Sequence, residues 1–547
     1  MMMLKEVLLN AFPLANNSLD LVVLKKQNQT VINLSISDGK IKKYEHLSLD
    51  IEFEYSIVKW RNFDYKWVDT SRRRIANYYS PKCLVLDNGF KVVGGSTIGV
   101  WEFNSKFPTK LKWIIHDAFL TPLVKYDRNN QVIWFASLFD LPQFLSLKLL
   151  YTQKSFPEFS RSPVPFSAIL TFTDHCDFDT DVTLEKQREL FRKYNIPVTK
   201  GFFLYHYSKR KNNVSWERQK DLLTKWLTDG HELCHHSLTQ SIRSSKDKAL
   251  DELKMIIHEG LNCVTWIDHG YQPYNFTKLN GDVAEKDKWA GILKQAGIKN
   301  LWNYLDTGTS GRGLINQLDY EAFQFKNYLR NALHLKGKRG LQFFIRSYYL
   351  YFASASSKKV YFDFVKTVKR KEFRNGLRSF AVFFRVSILF LLSLLNLLNW
   401  RSKRNRVTQW GKYAPVFFKA NVQGKRFNVF QTLEVHDFNQ TFSPQNIKHF
   451  IEGHGVCLAH TYFSVLDKHL DGRIFKNCDG EFMPGIIKVF ERLHQQVMDE
   501  KLWIGQLKDV ADYFDQFEQI YFDIDDDGNI NHHVKNADSQ IYFKYTD

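Results

Sequence analysis

The sequence predicts an α/β protein built on a (β/α) barrel, with a β-rich domain ahead of it and a basic, amphipathic helical insertion inside it. Three observations carry this prediction. From Ser167 onward, short apolar or β-branched runs alternate with helical ones, the pattern of a parallel sheet or barrel. Before that point the runs read as strands only. Between Glu321 and Lys412, 20 lysines and arginines face only Glu321, Asp363 and Glu372, and the strand–helix alternation resumes beyond.

At 547 residues, 44% of them hydrophobic and 15% aromatic, the chain can build two or three large cores, which excludes a disordered protein. Residues 1–160 hold "QTVINLSIS", "KCLVLDNGFKVVGG", "KLKWIIHDAFLTPLVKY" and "NQVIWFASLF", broken by Asn, Gly and Asp turns, and predict a β-rich, sandwich-like domain. Its Trp and Tyr residues are expected in the core rather than against a ligand. The proline-containing "SFPEFSRSPVPFS" leads out of it.

Residues 161–320 supply the first part of the barrel. "SAILTFT" precedes the helical "TLEKQRELFRKYN", "VTKGFFLY" precedes "SWERQKDLLTKWLTDG", and "HELC", "NCVTWI" and "NLWNYL" follow with their own helices. Residues 413–515 supply the rest through "FNVFQTLEV", "SPQNIKHFIEGH", "GVCLA" and "PGIIKVFERLHQQVMDEK". Residues 516–547 form a C-terminal tail in which "DIDDDGNINHH" starts like a calcium loop. Its twelfth position is Val534 rather than Glu, so a β-hairpin turning at Asp527-Gly528 is expected.

The net charge of +18 is almost wholly the insertion, 321–412. "SFAVFFRVSILFLLSLLNLLNW" (379–400), bracketed by basic clusters, is just long enough to cross a bilayer, yet one crossing would divide the barrel between two compartments. Helices lying in the interface, with Lys and Arg on anionic head groups, are the expected arrangement. The competing expectation is a buried helix with a solvated basic rim. Leu and aromatic interleaving suits lipid better than a phosphate groove, so no nucleic-acid partner is expected. The N-terminus carries no signal-peptide pattern, and six cysteines, with Cys176, Cys234, Cys263 and Cys457 close to charged strand ends, suit reduced thiols. Together these predict a cytoplasmic protein, peripheral or monotopic on the inner membrane.

Chemistry concentrates where strands end. "LTFT" runs into Asp174, His175 and Asp177; "HELC" into His235 and His236; "VTWI" into Asp268 and His269; "TLEV" into His436 and Asp437; and "GVCLA" into His460. In barrels and open α/β sheets these C-terminal strand ends converge on the active site. A single His beside an apolar strand is usually structural, and Asp179 reads as a helix N-cap; the coincidence over five strands points to a site. His with Asp suits Zn²⁺ or a related ion held by three protein ligands. A carboxylate base and a His acid beside such an ion suit hydrolysis of an amide or ester.

The order "TFTDH", "GHELCHHS" and "CLAHTY", followed by "LWIGQLKDVADYF", resembles the polysaccharide deacetylases of the NodB-homology type, carbohydrate esterase family 4. The resemblance covers about residues 165–320 and 413–515. It implies a distorted (β/α) barrel of NodB-homology type and a divalent metal, zinc the expected ion. It also implies removal of N- or O-acetyl groups from sugars; with the insertion on a membrane surface, the expected substrate is a cell-envelope or lipid-linked glycan. Carried over, it places the metal on Asp174 and His236 and the general acid at His460. Thr173 stands where the family has its base, Gln240 where it has its second metal His, and no Arg-Pro element occurs. His269 or His175 is expected to complete the metal shell, and Asp177 or Asp268 to act as base. The competing expectation is a catalytically inactive glycan-binding or scaffold protein of envelope polysaccharide synthesis.

Overall fold

The computed structural model describes the chain apart from residues 1–2, 13–18, 37–42, 127–131, 137–138, 207–211, 237–253, 256, 268–282, 336, 371–376, 396, 398–399, 423, 467–471 and 537–538. Seven parallel strands close into a barrel: β1 (Ala168–Asp174), β2 (Thr199–Phe202), β3 (Glu232–His236), β4 (Thr265–Ile267), β5 (Asn300–Thr309), β6 (Lys425–Glu434) and β7 (Val456–Thr461). Each pairs with the next, and β7 pairs with β1, so spatial order equals chain order. The described parts of these strands are almost entirely buried, as expected of parallel strands covered on both faces.

Two further strands distort the barrel at its N-terminal end. Leu502–Ile504 runs parallel to the first half of β1, while β2 pairs only with its last two residues. Phe417–Val422 lies antiparallel on the first half of β6, leaving β7 to pair with Leu433 and Glu434. The barrel is therefore closed at its C-terminal end and splayed at the other.

Side-chain alternation sorts the wall into two faces. Ile169, Cys234, Ile267, Trp302, Phe430 and Leu458, one from each of six strands, meet inside. Leu170, Phe172, Leu233, Leu301 and Ala459 pack outward on the surrounding helices. These include α1 (Asp181–Lys193) and α2 (Trp216–Thr228). The α1 helix begins in a capping box, in which Thr180 Oγ1 accepts from the Thr183 amide at 3.1 Å and Thr183 Oγ1 from the Thr180 amide at 2.9 Å. Thr180, not Asp179, is thus the N-cap.

The N-terminal residues form a five-stranded and a seven-stranded antiparallel sheet around a shared core. Trp60, Trp101 and Trp113 are fully buried there, with Trp101 and Trp113 edge to face at 5.6 Å. These aromatics are core, as expected of a β-module. The cluster inside the barrel continues through Tyr79, Phe159, Phe514 and Phe517 and joins the sandwich to the N-terminal end of the barrel. The C-terminal tail forms the expected hairpin, Ile520–Ile524 against Ile530–Val534, with Gly528 at φ 81° in its turn. The last strand, Phe543–Thr546, then pairs antiparallel with Phe156–Phe159.

The insertion leaves after β5 as helices α3 (Phe325–Leu335), α4 (Gly337–Tyr351), α5 (Ala355–Arg370) and α6 (Leu377–Leu395). Among the described residues, no helix is long and apolar enough to cross a membrane. The α4 helix departs from the expectation of an interfacial helix. Its Phe343, Tyr348, Tyr349 and Tyr351 are buried in the same core as the barrel helices: Phe343 meets His436 just past the end of a barrel strand, while Tyr349 packs on Tyr361 and Phe390 of the neighbouring insertion helices.

Candidate active site at the barrel mouth

Residues facing the barrel interior extend past the apolar layer into a polar mouth. On β1 the inward series is Ile169, Thr171, Thr173 and then His175; on β3 it is Cys234 then His236; on β7, Leu458 then His460. On β5 it is Trp302 and, after an irregularity in register, Asp306, and on β6 it is Phe430, Thr432 and Glu434.

Three ligand-type atoms converge there. His175 Nδ1 lies 3.0 Å from His236 Nε2. Asp177 Oδ2 lies 3.4 Å from His236 Nε2 and 3.9 Å from His175 Nδ1. All three side chains are buried. Ligand atoms about 2.0–2.1 Å from a tetrahedral Zn²⁺ stand roughly 3.3 Å apart, so the triangle fits such an ion after shifts of a few tenths of an ångström. Two imidazoles and one carboxylate also match the donor set of a borderline ion with open coordination positions. Without an ion, the two facing imidazole nitrogens can share one proton as a hydrogen bond.

Beside this triangle stands His460. Its ring centroid is 4.4 Å from that of His175, 4.9 Å from Trp302 and 5.1 Å from Tyr462. Its Nδ1–H donates to Asp306, 3.1 Å from Oδ1 and 3.3 Å from Oδ2. Thr432 Oγ1 donates to the same Asp306 oxygen at 2.6 Å. Burial pushes the His460 imidazole down, but Asp306, with Glu434 and Asp177 further off, outweighs it and raises the pKa above the ordinary value. Nε2 is buried with no hydrogen-bond partner among the described residues. The imidazole is thus fixed at one nitrogen, charged more readily than usual, and uncommitted at the other, the arrangement of a proton donor.

Glu434, at the end of β6, is gripped from the insertion. Arg346 of α4 forms an ion pair with it, Thr309 Oγ1 donates to it at 2.8 Å, and the Tyr351 hydroxyl approaches at 3.5 Å. Burial pushes the carboxyl up; Arg346, then His436 and His460, outweigh that and hold it below its ordinary value. Phe343 of α4 meets the His436 ring at 5.5 Å. Helix α4 is therefore part of the mouth.

The expected site residues divide accordingly. His236, His460 and Asp177 come together, with His175 as a further ligand-type side chain; Asp177 sits among these ligand-type atoms rather than apart as a base. Asp174 departs from its expected metal role. It belongs to the outward series of Leu170 and Phe172, and pairs with Lys200 of β2. It also accepts from the Phe463 amide at 2.9 Å and Thr461 Oγ1 at 3.1 Å. Asp179 shares the same ammonium at 2.6 Å. Burial disfavours the Lys200 charge, but the two carboxylates outweigh it and raise its pKa. The ammonium occupies the place expected of a cation.

His235 also faces outward, stacked on Trp266 at 5.1 Å, and burial pushes its pKa down to about 3. It is a neutral core residue. Asp437 caps the short helix Phe438–Thr441, accepting from the Gln440 amide at 2.9 Å. Asp268 and His269, with Gln240, lie outside the described residues. Asp306, Trp302, Glu434 and Arg346 were missed as site residues; three left a signal, Asp306 directly after "NLWNYL", Glu434 inside the strand "FNVFQTLEV" and Arg346 inside the apolar run "LQFFIRSYYLYF".

No protein-family model matches the chain, and no curated protein matches it. Among solved structures it is similar to a glycoside hydrolase family 97 enzyme from Pseudoalteromonas sp. strain K8 in complex with acarbose. That likeness has 8% identity and a TM-score of 0.22, covering 60% of this chain and 64% of that one. The α-N-acetylgalactosaminidase NagBb of Bifidobacterium bifidum gives 7% identity and 0.22, over 52% and 69%. A β-arabinopyranosidase gives 8% and 0.22, over 55% and 58%. The chain thus spans less than two thirds of the family 97 structure, and likenesses this slight say nothing about chemistry.

Proposed function

We propose that the barrel is a metal-dependent hydrolase that removes acetyl groups from an envelope or lipid-linked glycan. The observation that carries this reading is the triangle of His175 Nδ1, Asp177 Oδ2 and His236 Nε2 placed against the His460–Asp306 pair. The resemblance of "TFTDH", "GHELCHHS" and "CLAHTY" to NodB-type deacetylases supports the choice of an acetyl group.

His175, Asp177 and His236 would hold the ion, which when bound supplies Lewis-acid polarisation of a carbonyl and an activated water. Since Asp177 stands among the ligand-type atoms, the base is taken to be Asp268, the other carboxylate that the sequence offers for this role. As water adds to the acetyl carbon, Asp268 takes its proton. His460 Nε2 delivers a proton to the departing sugar nitrogen or oxygen as the acyl bond breaks, and acetate leaves. Asp306 keeps His460 in the orientation and charge state for that transfer. Trp302 and Tyr462, flanking His175 and His460, offer faces against which an acetyl methyl or sugar ring can pack.

Acetate release from N- and O-acetylated oligosaccharides, measured with and without a chelator, tests this reading. The expected result is release that stops on chelation and returns with Zn²⁺. Binding of glycans without acetate release from any of them would favour the inactive scaffold.

A further inference from the structure

Helix α6 spans 19 residues, about 28 Å at 1.5 Å per residue, and presents two unlike faces. One is packed: Phe390 stacks on Phe364 of α5 at 4.3 Å and meets Tyr349 of α4 at 5.6 Å, and Ser393 bonds the Tyr349 hydroxyl. The other is bare. Phe380, Val382, Phe384, Ile388, Leu391 and Leu395 are all exposed, Phe384 by 58% and Leu391 by 60%. Arg385 is the one exposed charge among the described side chains of this helix. Phe362 and Val368 of α5 are exposed as well. An apolar surface of this extent signals a partner.

The surrounding charge selects the partner. Lys359 and Lys366 on α5, and Arg401, Arg404 and Arg406 beyond α6, are exposed or nearly so, against Asp363 as the exposed carboxylate. The whole insertion has 20 basic residues to three acidic ones. A second copy of the chain would set this charge against itself. A basic rim around an apolar helix face fits an anionic lipid surface.

We propose that the bare face of α6, with the basic residues around it, docks on an anionic phospholipid bilayer, lying in its surface rather than crossing it. The packed face of α6 rests on α4, and α4 holds Glu434 at the barrel mouth through Arg346. Docking therefore brings the mouth within one helix layer of the lipid head groups, where a glycan carried on a lipid is within reach. The docking itself does not depend on the chemistry proposed for the mouth.

The test is co-sedimentation of the full chain with vesicles of phosphatidylcholine, with and without phosphatidylglycerol. The expected result is binding that requires phosphatidylglycerol, weakens with salt, and drops about tenfold or more in F384E/L391E. R404A/R406A should lose the preference for anionic lipid, and D177N should bind as the parent does. Circular dichroism confirms that each variant is folded. Equal binding to neutral and anionic vesicles, or parent-like binding by folded F384E/L391E, overturns the proposal. A dimer dissolved by F384E/L391E without vesicle binding assigns the face to a second copy. Preference for duplex DNA over vesicles overturns it in favour of nucleic acid.

Discussion

Asp306 accepts the Nδ1 proton of His460 at 3.1 Å, across the gap between β5 and β7. Since β6 lies between these strands, its Thr432 completes the contact by donating to the same carboxylate at 2.6 Å. Removing the charge without changing the shape isolates its role. Asp306→Asn should leave metal content unchanged and lower acetate release by about 10²–10⁴-fold, the usual range for general acid–base catalysis. A fully active Asp306→Asn enzyme would show that His460 needs no charge from Asp306.

The two aspartates of "TDHCD" should behave oppositely. Asp177→Asn, like His236→Ala, should cut bound metal to background in elemental analysis of the purified protein. Asp174→Asn should keep its metal and lose stability instead, because it leaves the buried Lys200 with one carboxylate fewer. Breaking a buried ion pair costs about 3–5 kcal/mol, and Asp179, 2.6 Å from the same ammonium, keeps the loss toward the lower figure. Denaturant unfolding reads the difference.

Arg346→Gln should destabilise the protein by a similar mechanism. Glu434 would stay buried with Thr309 and Tyr351 as its remaining side-chain hydrogen-bond partners among the described residues, at a cost of about 3 kcal/mol. Because the same carboxylate helps to raise the His460 pKa, Glu434→Gln should in addition lower acetate release, whereas a purely structural contact would change stability alone.

His231 predicts a pH dependence of stability remote from the site. It is buried against Trp226 at 4.7 Å, and its Nδ1 accepts from the Val198 amide at 3.3 Å. Burial first, and Arg188 to a smaller degree, push its pKa down to about 4 against the opposing pull of Asp229. Below the ordinary histidine value the unfolded chain takes up a proton that the folded one refuses. Its stabilising effect is therefore complete above about pH 6.5 and is lost progressively down to about pH 4, by on the order of 3 kcal/mol. His231→Gln should flatten the fall in melting temperature between about pH 7 and about pH 5.

The barrel was legible because its strand–helix alternation is local. The mouth was legible wherever His or Asp stood at a strand end, as with His236 and His460. What failed was the face. Asp174 was placed with the ligands by its position at the end of β1 and by the resemblance carried on "TFTDH", although counting by twos from Phe172 turns it outward and from Thr173 turns His175 inward. Lys200, a charge inside the apolar run "VTKGFF", was the visible sign of its partner. Asp306 was overlooked although it follows "NLWNYL" as directly as His460 follows "GVCLA"; its strand runs on past it to Thr309 through an irregularity in register. Arg346 and Glu434 are 88 residues apart, a separation at which no local pattern reports pairing.

The last strand bears on how the protein is made. Glu158, at the exit of the sandwich, is held by Arg61 at 2.7 Å and by the Thr546 hydroxyl, 388 residues away along the chain, also at 2.7 Å. During synthesis the sandwich can fold as soon as it emerges, and Glu158 then has Arg61 alone. The seam between the two cores waits tens of seconds for its final stitch at typical elongation rates. Throughout that interval the nascent barrel assembles while tethered to its neighbour but not yet locked to it, which leaves the ribosome, rather than either domain, to set when the joint closes.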